Sequence, residues 1–260
     1  MLFDTHAHYD DSRFDGDRDE LLRSLPGEGV GLVLNPGCDL ASSRKAVAYA
    51  DTYPHVYAAA GIHPENIEGV PDEQVEEELR EIEALAAHPK VRAVGEIGLD
   101  YYWCKEPAER KRQQELFRAQ MRMAGRLGLP VIVHDRDAHL DCLTIAEQYP
   151  KVHGVFHCYA GSAETAQRLL ELGYYLSFTG VLTFKNAKKA AEVVRRVPLE
   201  RLMVETDAPY MAPEPFRGKR NSSLYVYRMV EAIAEIKGLP AEEVARATTE
   251  NGKKLFGIPE

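Results

Sequence analysis

Two histidines stand two residues apart in His6-Ala7-His8. On an extended backbone residues i and i+2 point to one face, so both imidazoles can enter a single cavity, and the spacing suits one metal ion. Further along the chain His63, Glu96, His134, His157 and Asp207 each fall at or just beyond the end of a short apolar run. Should those runs end on one surface, His6, His8, His134 and His157 would meet Glu96 and Asp207 there. A catalytic zinc uses three protein ligands, so this set is too large for one ion. Two divalent cations about 3.5–4 Å apart, bridged by a carboxylate, match it better, and such a pair supports hydrolysis by activated water.

What must bring these residues together is a set of strands ending on one side. Residues 2–5, 30–35, 56–61, 91–97, 130–134, 154–157, 174–178 and 201–205 read as buried strands, each four to eight residues long and bounded by turn residues. Longer stretches between them, such as 74–87, 108–127, 163–172 and 187–197, carry apolar residues at helical spacing with charged faces between. Continuous apolar strands alternating with amphipathic helices call for a parallel sheet covered by helices, and eight such units predict a (β/α)8 TIM barrel. A doubly wound open sheet fits less well, because the first strand leads into His-Ala-His and not into a glycine-rich phosphate loop. Barrel active sites lie at the carboxyl ends of the strands. Five of the nine histidines fall there, which gives the metal reading its weight.

The 260 residues fit one barrel, and the Pro/Gly-rich segments 61–70 and 211–218 follow predicted strands, so one domain spanning 1–260 is expected. With 32 Lys+Arg against 41 Asp+Glu the net charge is −9, which excludes a broad basic face for nucleic acid. A phosphate-bearing substrate must then be held locally, by metal or by a small basic loop. Cys38, Cys104, Cys142 and Cys158 show no CxxC spacing, as expected of free thiols in a reducing, cytoplasmic setting. The stretch MLFDTHAHYD lacks the basic and apolar regions of a signal peptide, and no run approaches 18 apolar residues, so neither export nor a membrane span is expected. No obligate protein partner is evident.

Six ordered motifs, His6-Ala-His8, Gly61-Ile-His63-Pro64, Gly95-Glu96-Ile-Gly98-Leu-Asp100-Tyr101, Val133-His134-Asp-Arg136, His157-Cys158-Tyr-Ala-Gly161 and Glu205-Thr206-Asp207-Ala-Pro209-Tyr210, together resemble the TatD family of metal-dependent deoxyribonucleases. The resemblance runs from the first strand to the Asn251/Phe256 region. It implies a TIM barrel of the metal-dependent hydrolase type, divalent metal and cleavage of DNA, with magnesium as the working ion. Carried over residue by residue, it places metal ligands at His6, His8, Glu96, His134, His157 and Asp207, and His63 near the substrate phosphate. The chain departs from the family after Arg217-Gly-Lys219-Arg220-Asn221, where Ser222-Ser223 replaces the usual Glu-Pro. Without that proline to preset the following turn, a less rigid loop is expected.

A phosphodiester repels an incoming hydroxide, so cations on its oxygens and a nucleophile available at neutral pH are both required. Two divalent cations, Mg2+, Mn2+ or Zn2+, would provide them. In this reading Glu96 bridges the metals, Asp207 ligates and accepts the proton of the attacking water, and His63 donates to a phosphate oxygen or protonates the leaving alkoxide. Arg217, Lys219 and Arg220 would position phosphate. Tyr101 and Tyr102, with Asp100, would line the cleft and stack on unpaired bases. Glu205 is expected behind the ligands, Cys158 is expected to face away, and His55, His88, His139 and His153 lie off the strand ends. Lys185, Lys188 and Lys189 read as a solvated face.

The expected function is a 3'-5' exonuclease of single-stranded DNA or DNA ends. The rival is an ester or amide hydrolase of the same superfamily, such as a D-aminoacyl-tRNA deacylase. Many relatives in that superfamily bridge their metals with a carbamylated lysine at the end of strand four, where this chain has Glu96, its nearest lysines being Lys90 and Lys105.

Overall fold

The computed structural model describes residues 1–259. Eight strands, β1 (Leu2–Asp4), β2 (Val30–Pro36), β3 (Val56–Ala60), β4 (Val91–Asp100), β5 (Val131–Arg136), β6 (Gly154–Phe156), β7 (Tyr175–Phe178) and β8 (Leu202–Val204), form one sheet in sequential order. Every neighbouring pair is parallel. The sheet curls until its edges meet. Thr5 N–H donates to the Val204 carbonyl, and Ala7 pairs in parallel with Ala208 beyond the two strand ends.

Helices cover the outside: α1 (Arg18–Ser24), α2 (Leu40–Thr52), α3 (Asp72–Leu85), α4 (Pro107–Leu127), α5 (His139–Glu147), α6 (Ala163–Glu171), α7 (Lys188–Arg196), α8 (Tyr227–Lys237) and α9 (Ala241–Phe256). This is the (β/α)8 TIM barrel. Strand alternation produces two apolar cores. Phe3, Leu34, Ala59, Ala93, Ile132, Val155, Tyr175 and Met203, one from each strand, fill the barrel interior, and Phe256 and Ile258 pack against them at its amino-terminal end. The larger core lies between strands and helices, where Val33, Val94, Val133, Leu176 and Val204 meet Phe117, Ile145, Leu169 and Ile233. Small Ala59 and Ala93 beside bulky Phe3 and Tyr175 let the interior fill without a channel.

The predicted strands are all present, but β4 runs three residues past its expected end, to Asp100, and β5 runs two past, to Arg136. Both extensions pair with each other, Gly98 with His134 and Asp100 with Arg136. Gly98 adopts φ +141°, and a Cβ there would stand 2.0 Å from the His134 carbonyl oxygen. Only glycine allows that approach. The paired extension lifts the β4 and β5 ends into the barrel mouth and sets Glu96 and His134 side by side.

Among the described residues no helix is long and apolar enough to cross a membrane.

Candidate metal centre

The carboxyl ends of the strands bring seven of the sequence candidates into one cluster. His6 and His8 follow β1 and, as their spacing requires, point the same way, with their Nε2 atoms 3.0 Å apart. Glu96 Oε2 lies 3.3 Å from His6 Nε2 and 3.5 Å from His8 Nε2. Asp207 Oδ1 lies 3.7 Å and 3.5 Å from the same two nitrogens. The other Glu96 oxygen, Oε1, faces a different set: His157 Nε2 at 2.7 Å, His134 Nδ1 at 2.9 Å and His63 Nε2 at 3.5 Å. One carboxylate thus divides its oxygens between two groups of imidazoles.

These spacings fit metal ions. Four donors each about 2.0–2.1 Å from one tetrahedral cation stand about 3.4 Å from one another, close to the spacings around His6, His8, Glu96 Oε2 and Asp207. The donors are neutral-capable imidazoles and carboxylates, the set that suits zinc or manganese and, through its oxygens, magnesium.

The charge balance supports the same conclusion. Burial pushes the Glu96 carboxyl up, but His157, His6, His63 and the His134 hydrogen bond outweigh it and hold the group well below the usual carboxylate range. Asp207 follows the same pattern, burial opposed by its hydrogen bond to His8 and by the charges of His6, His8 and His157, and is also held down. Burial, helped by neighbouring imidazoles, lowers His6 and His63, which favours the neutral ring that a metal requires. His157 goes up well above its ordinary value, because Glu96 and Glu205 overcome burial. The pocket therefore holds anionic carboxylates that draw cations in, with protons and metal ions competing for the same ring nitrogens.

Supporting contacts fix the rings. Asp100 Oδ2 lies 3.0 Å from His134 Nε2 on the side away from Glu96, and the Trp103 N–H donates to Asp100 Oδ1. Glu205 sits behind His157, its Oε1 3.5 Å from Nδ1 and accepting from the Cys158 N–H at 2.6 Å. Cys158 turns its thiol to Thr179 Oγ1 at 3.4 Å, away from the cluster. Asp4, the fully buried last residue of β1, accepts from Thr206 N–H (2.9 Å), Thr206 Oγ1 (2.6 Å) and Ser223 Oγ (2.5 Å). It ties β1 to the residue preceding Asp207.

Several expectations need correction. Ser222-Ser223 does not loosen its loop: both side chains are buried, Ser222 Oγ accepts from Leu224 N–H, and Ser223 bonds Asp4 and the Tyr9 hydroxyl. Hydroxyl hydrogen bonds take over the restraint that proline would have imposed. Arg220 is engaged in this structure with other groups: its guanidinium pairs with Asp17 at 2.5 Å, donates to the Arg13 carbonyl and lies over Phe14. Arg217 lies over Phe184 and is exposed, as is Lys219. Tyr101 offers no stacking face, because it is buried with its hydroxyl bonded to Asp141 at 2.7 Å. Tyr102 and Trp103 are the exposed aromatics of that loop.

Sequence reading missed Cys38, whose Sγ lies 3.8 Å from Glu96 Oε2 and 3.9 Å from His8 Nδ1. Its place just after β2 was the available signal. Of the remaining histidines, His55 bonds the Leu22 carbonyl and His139 bonds Asp135. Lys185 and Lys188 line a surface groove of about 680 Å³ between α7 and α8, with none of the cluster residues in it.

A closed barrel with imidazoles and carboxylates gathered at the carboxyl ends of its strands defines a metal-dependent hydrolase. Comparison with known proteins narrows the class. The family described as TatD related DNase matches residues 3–257, and the chain belongs to that family, whose members act on ester bonds. The metal-dependent hydrolase YabD of Bacillus subtilis is 44% identical over 260 residues, covering 99% of this chain and all of that protein. The 3'-5' ssDNA/RNA exonuclease TatD of Citrobacter rodentium is 35% identical, covering 99% of this chain and 98% of the relative. The crystal structure of the TatD homologue YjjV from Escherichia coli superposes with a TM-score of 0.91 at 33% identity, covering 99% of this chain and 98% of that one.

Proposed function

We propose that this protein is a deoxyribonuclease that hydrolyses phosphodiester bonds through a dinuclear divalent-metal site, removing nucleotides from the 3' end of single-stranded DNA. The observation that carries the dinuclear reading is the division of Glu96, with Oε2 toward His6 and His8 and Oε1 toward His134 and His157. The exonuclease reading is supported by the 35% identical relative named for that activity.

In this reading His6, His8, Glu96 and Asp207 would hold one cation, and Glu96, His134 and His157 would hold the other. Bound there, the cations supply positive charge against the phosphate oxygens and acidify water. The chain's own residues do the rest. Asp207, held ionised, accepts the proton of the attacking water. His63 sits at the edge of the second group, where its Nδ1 accepts from the Glu65 N–H, and its Nε2, 3.5 Å from Glu96 Oε1, is the nitrogen that would turn to a substrate oxygen as a donor. Asp100 and Glu205 orient His134 and His157 from behind. Arg217 and Lys219 hold the phosphates of the strand beyond the scissile bond. The whole chain, 1–260, acts as one unit, and free cysteines suit the cytoplasm as its place of work.

The test is cleavage of end-labelled single-stranded DNA by metal-stripped protein resupplied with Mg2+, Mn2+ or Zn2+, with Asp207→Asn as control. Metal-restored cleavage in a ladder from the 3' end, absent from the control, supports the reading. Metal-loaded protein that leaves DNA intact while cleaving an aminoacyl ester or amide overturns it.

A further inference from the structure

Trp103 is the only tryptophan of the chain, and it is 62% exposed. Beside it Tyr102 is 43% exposed, and the two rings meet edge to face with centroids 4.7 Å apart. Two large aromatics left open side by side forgo burial that each would otherwise contribute, so an occupant from solution is the natural complement. The surroundings specify its chemistry. The Arg136 guanidinium lies 4.1 Å from the Tyr102 ring centroid and 5.6 Å from that of Trp103, and Lys105 Nζ lies 5.4 Å from Tyr102. Flat faces interleaved with two cations match a flat, electron-rich ring carried on an anionic backbone.

The patch is tied to the metal centre. The Trp103 N–H donates to Asp100, Asp100 holds His134, and Arg136 follows His134 by two residues at the end of β5. An apolar peptide would gain nothing from the cations, and a duplex keeps its base faces stacked inside the helix.

We propose that Trp103 and Tyr102, flanked by Arg136 and Lys105, form a stacking subsite for an unpaired nucleobase of the strand being cleaved. This rests on the deoxyribonuclease reading and deepens it. It makes strand separation a requirement of binding, because the base must leave its stack to reach Trp103, and it recognises a ring and not a sequence.

The sole tryptophan makes the test direct. Metal-loaded protein is titrated with a phosphorothioate tetrathymidylate, which resists hydrolysis, and with an abasic tetramer of the same charge, following Trp103 fluorescence. Stacking predicts quenching by the first and little by the second, with affinity for the abasic strand lower by roughly tenfold. A fluorescein-labelled tetramer read by anisotropy should bind Trp103→Ala with the same roughly tenfold loss, and Trp103→Phe should recover most of it. Equal affinity for both tetramers, or unchanged binding to Trp103→Ala, overturns the subsite while leaving the nuclease standing, since cleavage of unmodified DNA is scored separately. Absence of DNA cleavage together with turnover of a carbon ester overturns both.

Discussion

Asp100 Oδ2 stands 3.0 Å from His134 Nε2, so the ring is held from behind while its Nδ1 faces Glu96. A partner in that position fixes the tautomer and direction of a ligating imidazole. If the site is dinuclear as proposed, Asp100→Ala should lower affinity for the cation at His134 and His157 about 10–100-fold and leave that at His6 and His8 little changed. Calorimetric titration with Mn2+ would show one weakened event of two. Two equally weakened events would mean that Asp100 supports the barrel mouth as a whole.

Glu96 serves both groups, and its neutral isostere should disturb both. Glu96→Gln is expected to weaken both metal-binding events, whereas Asp207→Asn should retain much of its metal and lose turnover by about 100-fold or more, as removal of a general base does. Metal content measured by elemental analysis, set beside the rate of DNA cleavage, separates the two variants. Equal losses of metal and rate in Asp207→Asn would reduce Asp207 to a ligand.

The three cations of the loop after Asp207 should behave differently. Neutralising Arg217 and Lys219 together should reduce the slope of log affinity for single-stranded DNA against log salt by about 1.4. Arg220→Ala should leave the slope nearly intact and lower stability instead, by up to about 1 kcal/mol, because its exposed ion pair with Asp17 is screened by solvent. Filter binding across a salt series, with urea unfolding alongside, reads both effects. A slope that moves with Arg220 would show that the Asp17 pair opens for substrate.

Asp4 collects three short hydrogen bonds in a fully buried position. Asp4→Ala should cost about 3 kcal/mol, since the Thr206 and Ser223 donors would be left buried without acceptors. Ser223→Ala should cost about 1 kcal/mol. The check is the urea midpoint of each variant. Restoration of the family's Glu-Pro at 222–223 would trade these hydrogen bonds for a preset turn, and the same measurement ranks the two solutions.

The set of residues that meet at the barrel mouth was legible because it follows from period and position. His6 and His8 share a face by strand alternation, and Glu96, His134, His157 and Asp207 mark strand ends whose apolar runs are unmistakable. Side-chain direction was not legible. Nothing in the order of residues tells that Arg220 turns to Asp17 and not to solvent, or that Tyr101 buries itself against Asp141 while Trp103 stays open. These choices depend on partners far along the chain. Asp4 is the extreme case, an isolated acid before a histidine motif whose role rests on Thr206 and Ser223. Cys38 was passed over because cysteines were weighed for spacing and not for their place at a strand end.

The seam of the barrel joins Ala7 to Ala208, and it is flanked by His6 and His8 on one side and Asp207 on the other. In a chain made from one end to the other, the histidines emerge first and wait for roughly 200 residues before Asp207, the second carboxylate beside them after Glu96, exists. At about 5–20 residues per second that interval is roughly 10–40 s. Throughout it the growing polypeptide has imidazoles but no closed ring, and it can hold neither the full coordination set nor a competent base. The candidate metal centre is therefore complete only once the last strand has been made.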